Sequence, residues 1–224
     1  MMHRFNEPNG VTGSPPRTRV IAGLTDNASK PAVRPPPNWI TVVTCLLLAL
    51  AVWVVFGQTL HHEFVNYDDD RYIYENSAIT QGLSLKGVAL AFTHINADDW
   101  YPLTSLSHMM DCQLYGLKPG GHHLTNVLLH AATAILLFLV LRNLTRAFWP
   151  SAFVAAVFAF HPLRVESVAW VTERKDVLSG LFFVLTLGAY ARYVRRSEKG
   201  GPKAEGNPWA FSLRPLASSD YWLA

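Results

Sequence analysis

Apolar residues come in long uncharged blocks along this chain, and the polar stretches between them differ sharply in character. The first block, "WITVVTCLLLALAVWVVF" (39–56), contains no charge. At ~1.5 Å per residue it reaches across a hydrocarbon core of roughly 30 Å, and Trp39 suits the interface at its end. The pattern predicts further spans over 124–141 and 177–193. The intervening block, "FWPSAFVAAVFAF", is short for a span and runs on as the amphipathic "HPLRVESVAWV". That combination predicts a helix over 148–161 that crosses and then bends at Pro162 into an interfacial segment.

The polar remainder divides the chain into three regions. Residues 1–37 are rich in Pro, Gly, Ser and Thr and end in "RPPP", which predicts a disordered tail. No small-residue cleavage site follows the first apolar block, so that block is expected to stay as an anchor. Residues 38–195 form the membrane domain. Residues 196–224 read as a polar linker and, at "SSDYWLA", the start of a further apolar helix, as if the chain were the N-terminal fragment of something longer. Within the membrane domain, 57–121 is a long loop holding eight of the 16 acids. Its segment "LSLKGVALAFT" fits a helix lying in the interface. Downstream, Trp100, Tyr101, Leu103, Leu106, Met110 and Leu114 form a partial helical stripe, and "KPGGHH" reads as a helix breaker.

Composition agrees with this picture. Half of the residues are hydrophobic and only 16% are charged, against about 25% in soluble domains, and the mean hydropathy is positive at +0.15. The fold class is all-α: a polytopic membrane protein with about four transmembrane helices and a long outer loop bearing interfacial helices. The lipid bilayer is the first partner. A net charge of +3 gives no reason to expect nucleic acid. Cys45 lies inside an apolar block far from Cys112, so no disulfide is expected, and no zinc-type cysteine spacing is present.

Charge then sets orientation. With the tail inside, 13 of the 19 Lys and Arg residues are cytoplasmic, including the pairs close to span ends, Arg142 with Arg146 and Arg195 with Arg196. The acidic loop and the segment after His161 then both face outside and start at the same membrane surface.

Those two outer segments carry the unusual polar residues. "FVNYDDDRYIYEN" sets Asp68, Asp69 and Asp70 side by side, and "HPLRVESVAWVTERKDVLS" brings His161, Arg164, Glu166, Arg174, Lys175 and Asp176. A carboxylate cluster suits a reaction in which a hydroxyl loses a proton, because like charges raise the pKa of one member. Cations nearby would steady a phosphate leaving group. Blander readings stand beside these. The acids suit a solvated loop or a helix cap, or a hard metal. His161-Pro162 suits a helix end, and Arg174, Lys175 and Asp176 suit interfacial anchoring. The paired histidines of "KPGGHH" suit a metal or a plain span boundary. Asn126 and His130, four apart in a span, suit either a functional site or an interhelical hydrogen bond.

The order of the blocks goes further. "FVNYDDDRYIYEN", "WYPLTSLSHMMDCQLYGLKPGGHHLTNVLLHAATAILLF" and "SAFVAAVFAFHPLRVESVAWVTERKDVLSG" together resemble the GT-C type protein O-mannosyltransferase family with C-terminal tetratricopeptide repeats, over about residues 60–195. Tyr67 stands where bacterial relatives usually have Trp, and Arg164 where they usually have His. The resemblance implies a partial GT-C fold in a bacterial inner membrane with the acidic loop extracytoplasmic. It implies transfer of a sugar, expected to be mannose, from a polyprenyl-phosphate donor to Ser or Thr hydroxyls of a protein acceptor, with no cofactor. Asp68 and Asp69 match the family's paired acids, one of them the general base, and Asp70 the third acid common in bacterial members. His161 and Glu166 match the "HPxxxE" block. Arg174 and Asp176 match the polar residues before the next span, Arg174 being the candidate for the carrier phosphate. The competing reading is a non-enzymatic membrane anchor or scaffold; few charges inside the spans and no inverted repeat argue against a transporter.

Overall fold

The computed structural model describes residues 36–95 and 99–200. The expected disordered tail up to residue 35 and the further helix at the C-terminus lie outside the described residues. Eight α-helices are described: α1 (Asn38–Phe56), α2 (Ser77–Thr80), α3 (Leu85–Thr93), α4 (Pro102–Tyr115), α5 (Pro119–Thr145), α6 (Phe148–Phe160), α7 (Val165–Ala169) and α8 (Arg174–Gly200). Three helices are long and apolar enough to cross a membrane: Asn38–His61, Pro119–Thr145 and Arg174–Ser197. The pair Phe148–Phe160 and Pro162–Ala169, bent by 53°, has the length and composition of a fourth span if its two parts cross as one. The bend falls where Pro162 ends the α6 ladder, as its missing N–H requires. The chain is thus an all-α polytopic membrane protein.

The central helix is α5, which packs against α1, α6 and α8. Phe56, Val127, Ala134, Phe138, Ala155 and Ala159 are buried at these crossings. Alanines on α6 let backbones approach closely, which is what lipid-immersed helices use in place of a hydrophobic driving force. His130 Nε2 meets the Ala159 carbonyl at 3.0 Å, tying α5 to α6. The polar positions inside the span therefore make interhelical hydrogen bonds. Arg146, with φ 59°, closes α5 in the left-handed conformation, as a C-terminal stop does.

One expectation is corrected here. "KPGGHH" is not a breaker: Lys118 caps α5, and Pro119 to His123 form its first turns. Proline is welcome at the first helical position, and the glycines are there for contact rather than for flexibility. A Cβ on Gly120 would stand 2.5 Å from the Leu60 carbonyl oxygen, and one on Gly121 would stand 2.5 Å from the Tyr115 ring. The partial stripe expected over this stretch lies on helix α4: Trp100, Leu103, Met110 and Leu114 are exposed, Leu106 packs against a buried cluster, and Ser105, His108, Met109, Asp111 and Cys112 are buried.

The outer loop folds over one end of the bundle. α3, capped by the Ser84 hydroxyl accepting from Gly87 N–H, buries Gly87 and Ala91 and leaves Leu85 93% exposed beside exposed Phe92 and Ile95. A second small core under the loop unites Ile73, Ile79, Met109, Cys112 and Val171. Val171 comes from the segment before α8, so the two predicted outer segments do lie together. At the far end, α8 continues to Gly200, so residues 196–200 extend the helix rather than opening the linker.

Candidate active site

The acidic turn is held by its middle residue. Asp69 is fully buried, and its Oδ2 accepts from Val65 N–H at 2.8 Å, closing the turn on itself. Its Oδ1 accepts from the Thr172 N–H at 3.1 Å and also from the Thr172 hydroxyl. Three donors on one buried carboxylate satisfy an anion that would otherwise be costly to enclose. Asp70 opens a π-helical turn (Asp70–Tyr74), and its Oδ1 accepts from Arg71 N–H at 2.8 Å. Asp68 is half-buried; its carbonyl takes Tyr72 N–H, and its carboxylate makes no hydrogen bond among the described residues. Desolvation, then the charges of Asp70, Glu75 and Asp69, push the Tyr74 phenol above its ordinary value.

The second segment arrives through α6, the bend and α7. His161 is exposed and its Nδ1 accepts from Leu163 N–H at 3.2 Å, so it caps the short turn that follows. The Arg164 guanidinium lies 4.8 Å from the centre of the Phe158 ring. Glu166 is exposed. Lys175 pairs with Glu173 at 3.0 Å and lies 5.4 Å from the Tyr101 ring centre. Asp176 accepts from the Ser167 hydroxyl at 3.3 Å. Of the predicted site residues, the fold joins the two segments through Asp69. His161 and Glu166 stay on the surface.

Arg174 departs most from expectation. It is fully buried, and its donors are turned inward. Nε donates to Asn126 Oδ1 at 2.7 Å, Nη1 to Ser107 at 3.1 Å, and Nη2 to the His122 carbonyl at 2.7 Å. Nη1 also pairs with Asp111 Oδ2 at 2.5 Å. A guanidinium committed in this way is a framework cation, and a phosphate contact would require breaking the framework. The amide of Asn126 donates in turn to the carbonyls of Val168 and Trp170, each at 3.3 Å. Thr125 donates to Asp111 Oδ1 at 2.8 Å. This network fixes the 168–174 strand of backbone, and with it Thr172 and Asp69.

Asp111, His108 and His122 belong to the same buried cluster; His122 is one of the paired histidines weighed above, whereas His108 and Asp111 were missed by sequence reasoning. The available signals were an Asp on the inner face of α4 and an Asn within an apolar span. Burial first, then the charges of Arg174 and His122, holds His108 well below the usual imidazole range, so its ring is neutral.

Two recesses border these residues. A cavity of about 20 Å³ is lined by Tyr72, Tyr101, Ser105, His108, Thr172 and Lys175. A wider groove of about 620 Å³ runs between α5, α6 and α8, walled by Leu137, Phe158, Phe183 and Val184 with Arg164 and Asp176 at its polar end. Arg164 makes no ion pair among the described residues.

No known family profile matches the chain, and no solved structure does. Named homologues do. Protein O-mannosyl-transferase Tmtc2 of Drosophila melanogaster is 32% identical over 169 residues, covering 71% of this chain and 18% of the relative. Protein O-mannosyl-transferase TMTC1 of Mus musculus is 32% identical over 174 residues, covering 72% and 18%. Protein O-mannosyl-transferase TMTC4 of Homo sapiens is 29% identical over 187 residues, covering 74% and 25%. The chain is thus homologous, over most of its residues, to the TMTC family of protein O-mannosyl-transferases. It spans between about a fifth and a quarter of the length of these relatives.

Proposed function

We propose that this chain carries the acid–base end of a membrane glycosyltransferase that moves mannose from a polyprenyl-phosphate donor to a Ser or Thr hydroxyl of a protein. The observation that carries the reading is the Asp69–Thr172 junction. It docks the acidic turn against the second outer segment and leaves the Asp68 carboxylate, one residue away, uncommitted. Asp68 is then the general base, Asp69 the residue that positions it, and Asp70 the acid that sets the start of the following turn.

The reaction is a single inverting displacement. The acceptor oxygen attacks the anomeric carbon as the bond from that carbon to the phosphate oxygen breaks. The phosphate leaves with the bonding electrons, and the hydroxyl proton passes to Asp68. Arg164, rather than Arg174, takes the departing phosphate. Among the described residues it is a cation without an ion pair, at the polar end of an apolar groove, which suits a charged headgroup on a prenyl tail. The reading needs no cofactor, because the phosphate ester already activates the sugar. It places the site on the extracytoplasmic face of a bacterial inner membrane, with the tail cytoplasmic, and treats the bundle as part of a GT-C type domain.

The test is mannose transfer to a Ser/Thr peptide, measured in membranes containing the chain and supplied with polyprenyl-phosphate mannose. Asp68→Asn is expected to lower the rate by about 10²-fold or more, the usual share of a general base. Unchanged transfer with both Asp68→Asn and Asp69→Asn would sink the assignment, and a wild-type chain that binds no donor would favour the anchor reading.

A further inference from the structure

His122 presents a contradiction that protein atoms alone leave unresolved. Its Nε2 faces the Gly116 carbonyl at 3.3 Å. A carbonyl only accepts, so a proton sits on Nε2, and in the neutral ring Nδ1 carries a lone pair. That lone pair faces Asp111 Oδ2 at 3.5 Å, another acceptor. Nothing in the protein stands between them: His122 Nδ1 is buried without a hydrogen bond.

His108 repeats the problem from the neighbouring helix. It is 3% exposed, and neither of its ring nitrogens has a partner. Its ring stacks on that of His122, with centroids 5.7 Å apart and planes at 29°. Buried polar atoms without partners are rare and point to a missing water or ion. An extra proton on His122 would answer the Asp111 contact and leave His108 unanswered. An ion among the three would answer both.

We propose that His108, Asp111 and His122 form a binding site for a divalent transition metal of the zinc class. One ligand atom from each of the three residues lies within 4.8 Å of the others. Ligands of a tetrahedral zinc at about 2.1 Å stand roughly 3.4 Å apart, so the three need to draw in by about an ångström. Two imidazoles and one carboxylate select a borderline metal such as Zn²⁺ or Co²⁺ over Mg²⁺ or Ca²⁺, which want oxygen shells. The Nε2–H to Gly116 carbonyl contact is the outer hydrogen bond that metal-ligating histidines usually make. Arg174 Nη1 shares the same Asp111 oxygen, so the ion sits beside a fixed cation and binds more weakly than in a closed structural zinc site. The cavity of about 20 Å³ that His108 also lines has room for about one water on its second nitrogen.

The experiment uses the full chain in detergent micelles, stripped with chelator and titrated with Co²⁺, with Zn²⁺ as competitor. One Co²⁺ per chain is expected, showing visible d–d bands that Zn²⁺ abolishes. His122→Asn and Asp111→Asn are expected to weaken binding at least 10-fold, and His94→Ala, outside the cluster, to leave it unchanged. Should the cluster variants fail to fold, X-ray absorption at the zinc edge of the wild-type chain decides. A first shell with two imidazoles supports the site. A shell of oxygens alone, no bound zinc, or equal binding in folded His122→Asn overturns it.

Discussion

Arg174 Nη1 and Asp111 Oδ2 meet at 2.5 Å, with both side chains at 1% exposure or less. The pair joins the start of α8 to the inner face of α4, two elements separated in sequence by the whole of α5 and α6. Around it, Asn126, Ser107 and the His122 carbonyl take three more of the five guanidinium donors. Such a pair is costly to desolvate, and its value depends on every donor being used. Removing one partner leaves the other charged and enclosed. Arg174→Met and Asp111→Leu are each expected to destabilise the bundle by about 3–5 kcal/mol, read as a lowered thermal midpoint in detergent. The double variant should cost clearly less than the sum of the two. Additive losses would show that the two residues act separately.

The entry of α5 depends on two glycines for a steric reason. Gly120→Ala drives a Cβ onto the Leu60 carbonyl oxygen, and Gly121→Ala drives one onto the Tyr115 ring, each at 2.5 Å. Backbone at Leu60 cannot turn aside as a side chain can. Each substitution is expected to cost about 1–3 kcal/mol, the usual range for overpacking. Gly180→Ala, whose Cβ would meet only Thr133 Cγ2 at 3.9 Å, is the matched control and should leave the thermal midpoint unchanged or slightly raised.

The spans were legible because an uncharged run of 18 residues has few other uses, and the bend was legible because Pro162 has no N–H to give. The α4 stripe of Leu103, Met110 and Leu114 was legible as a helix face, but periodicity alone does not say which face turns inward. "KPGGHH" has the composition of a turn, and only the proximity of Leu60 and Tyr115 explains glycine inside a helix. The acidic turn was legible as a candidate; its inner wiring was not. Asp69 and Thr172 are separated by 103 positions, and nothing local marks either as the other's partner. Asp111 sat unremarked in a loop rich in acids, although it is the one that neutralises Arg174.

Orientation has its own test. The orientation expected from the charge asymmetry has the acidic loop outside and the α5–α6 turn inside. With Cys45 and Cys112 replaced by Ala, a lone cysteine at exposed Glu75 should react with an impermeant maleimide on intact cells. A lone cysteine at exposed Asn143 should react only after permeabilisation. The reverse pattern would invert the topology and put the acidic turn on the cytoplasmic side.

Thr172 separates positioning from chemistry. Its hydroxyl and N–H both donate to Asp69 Oδ1, and the N–H survives any side-chain change. Thr172→Val keeps the shape and removes one of three donors to a buried carboxylate, a loss of about 1.5–3 kcal/mol for a charge-assisted bond. The acidic turn is small and lies at the edge of the bundle, so this loss should fall on the turn's placement more than on global unfolding. The expected outcome is a drop in mannose transfer of roughly 10-fold or more, since 1.4 kcal/mol of misplacement free energy corresponds to a factor of ten, with the thermal midpoint lowered far less than by Arg174→Met. Thr172→Ser restores the hydroxyl and should recover most of the transfer rate. Full transfer in the Val variant with a loss in the Ser variant would mean that packing by the Thr172 methyl, and not its hydroxyl bond to Asp69, holds the turn in place.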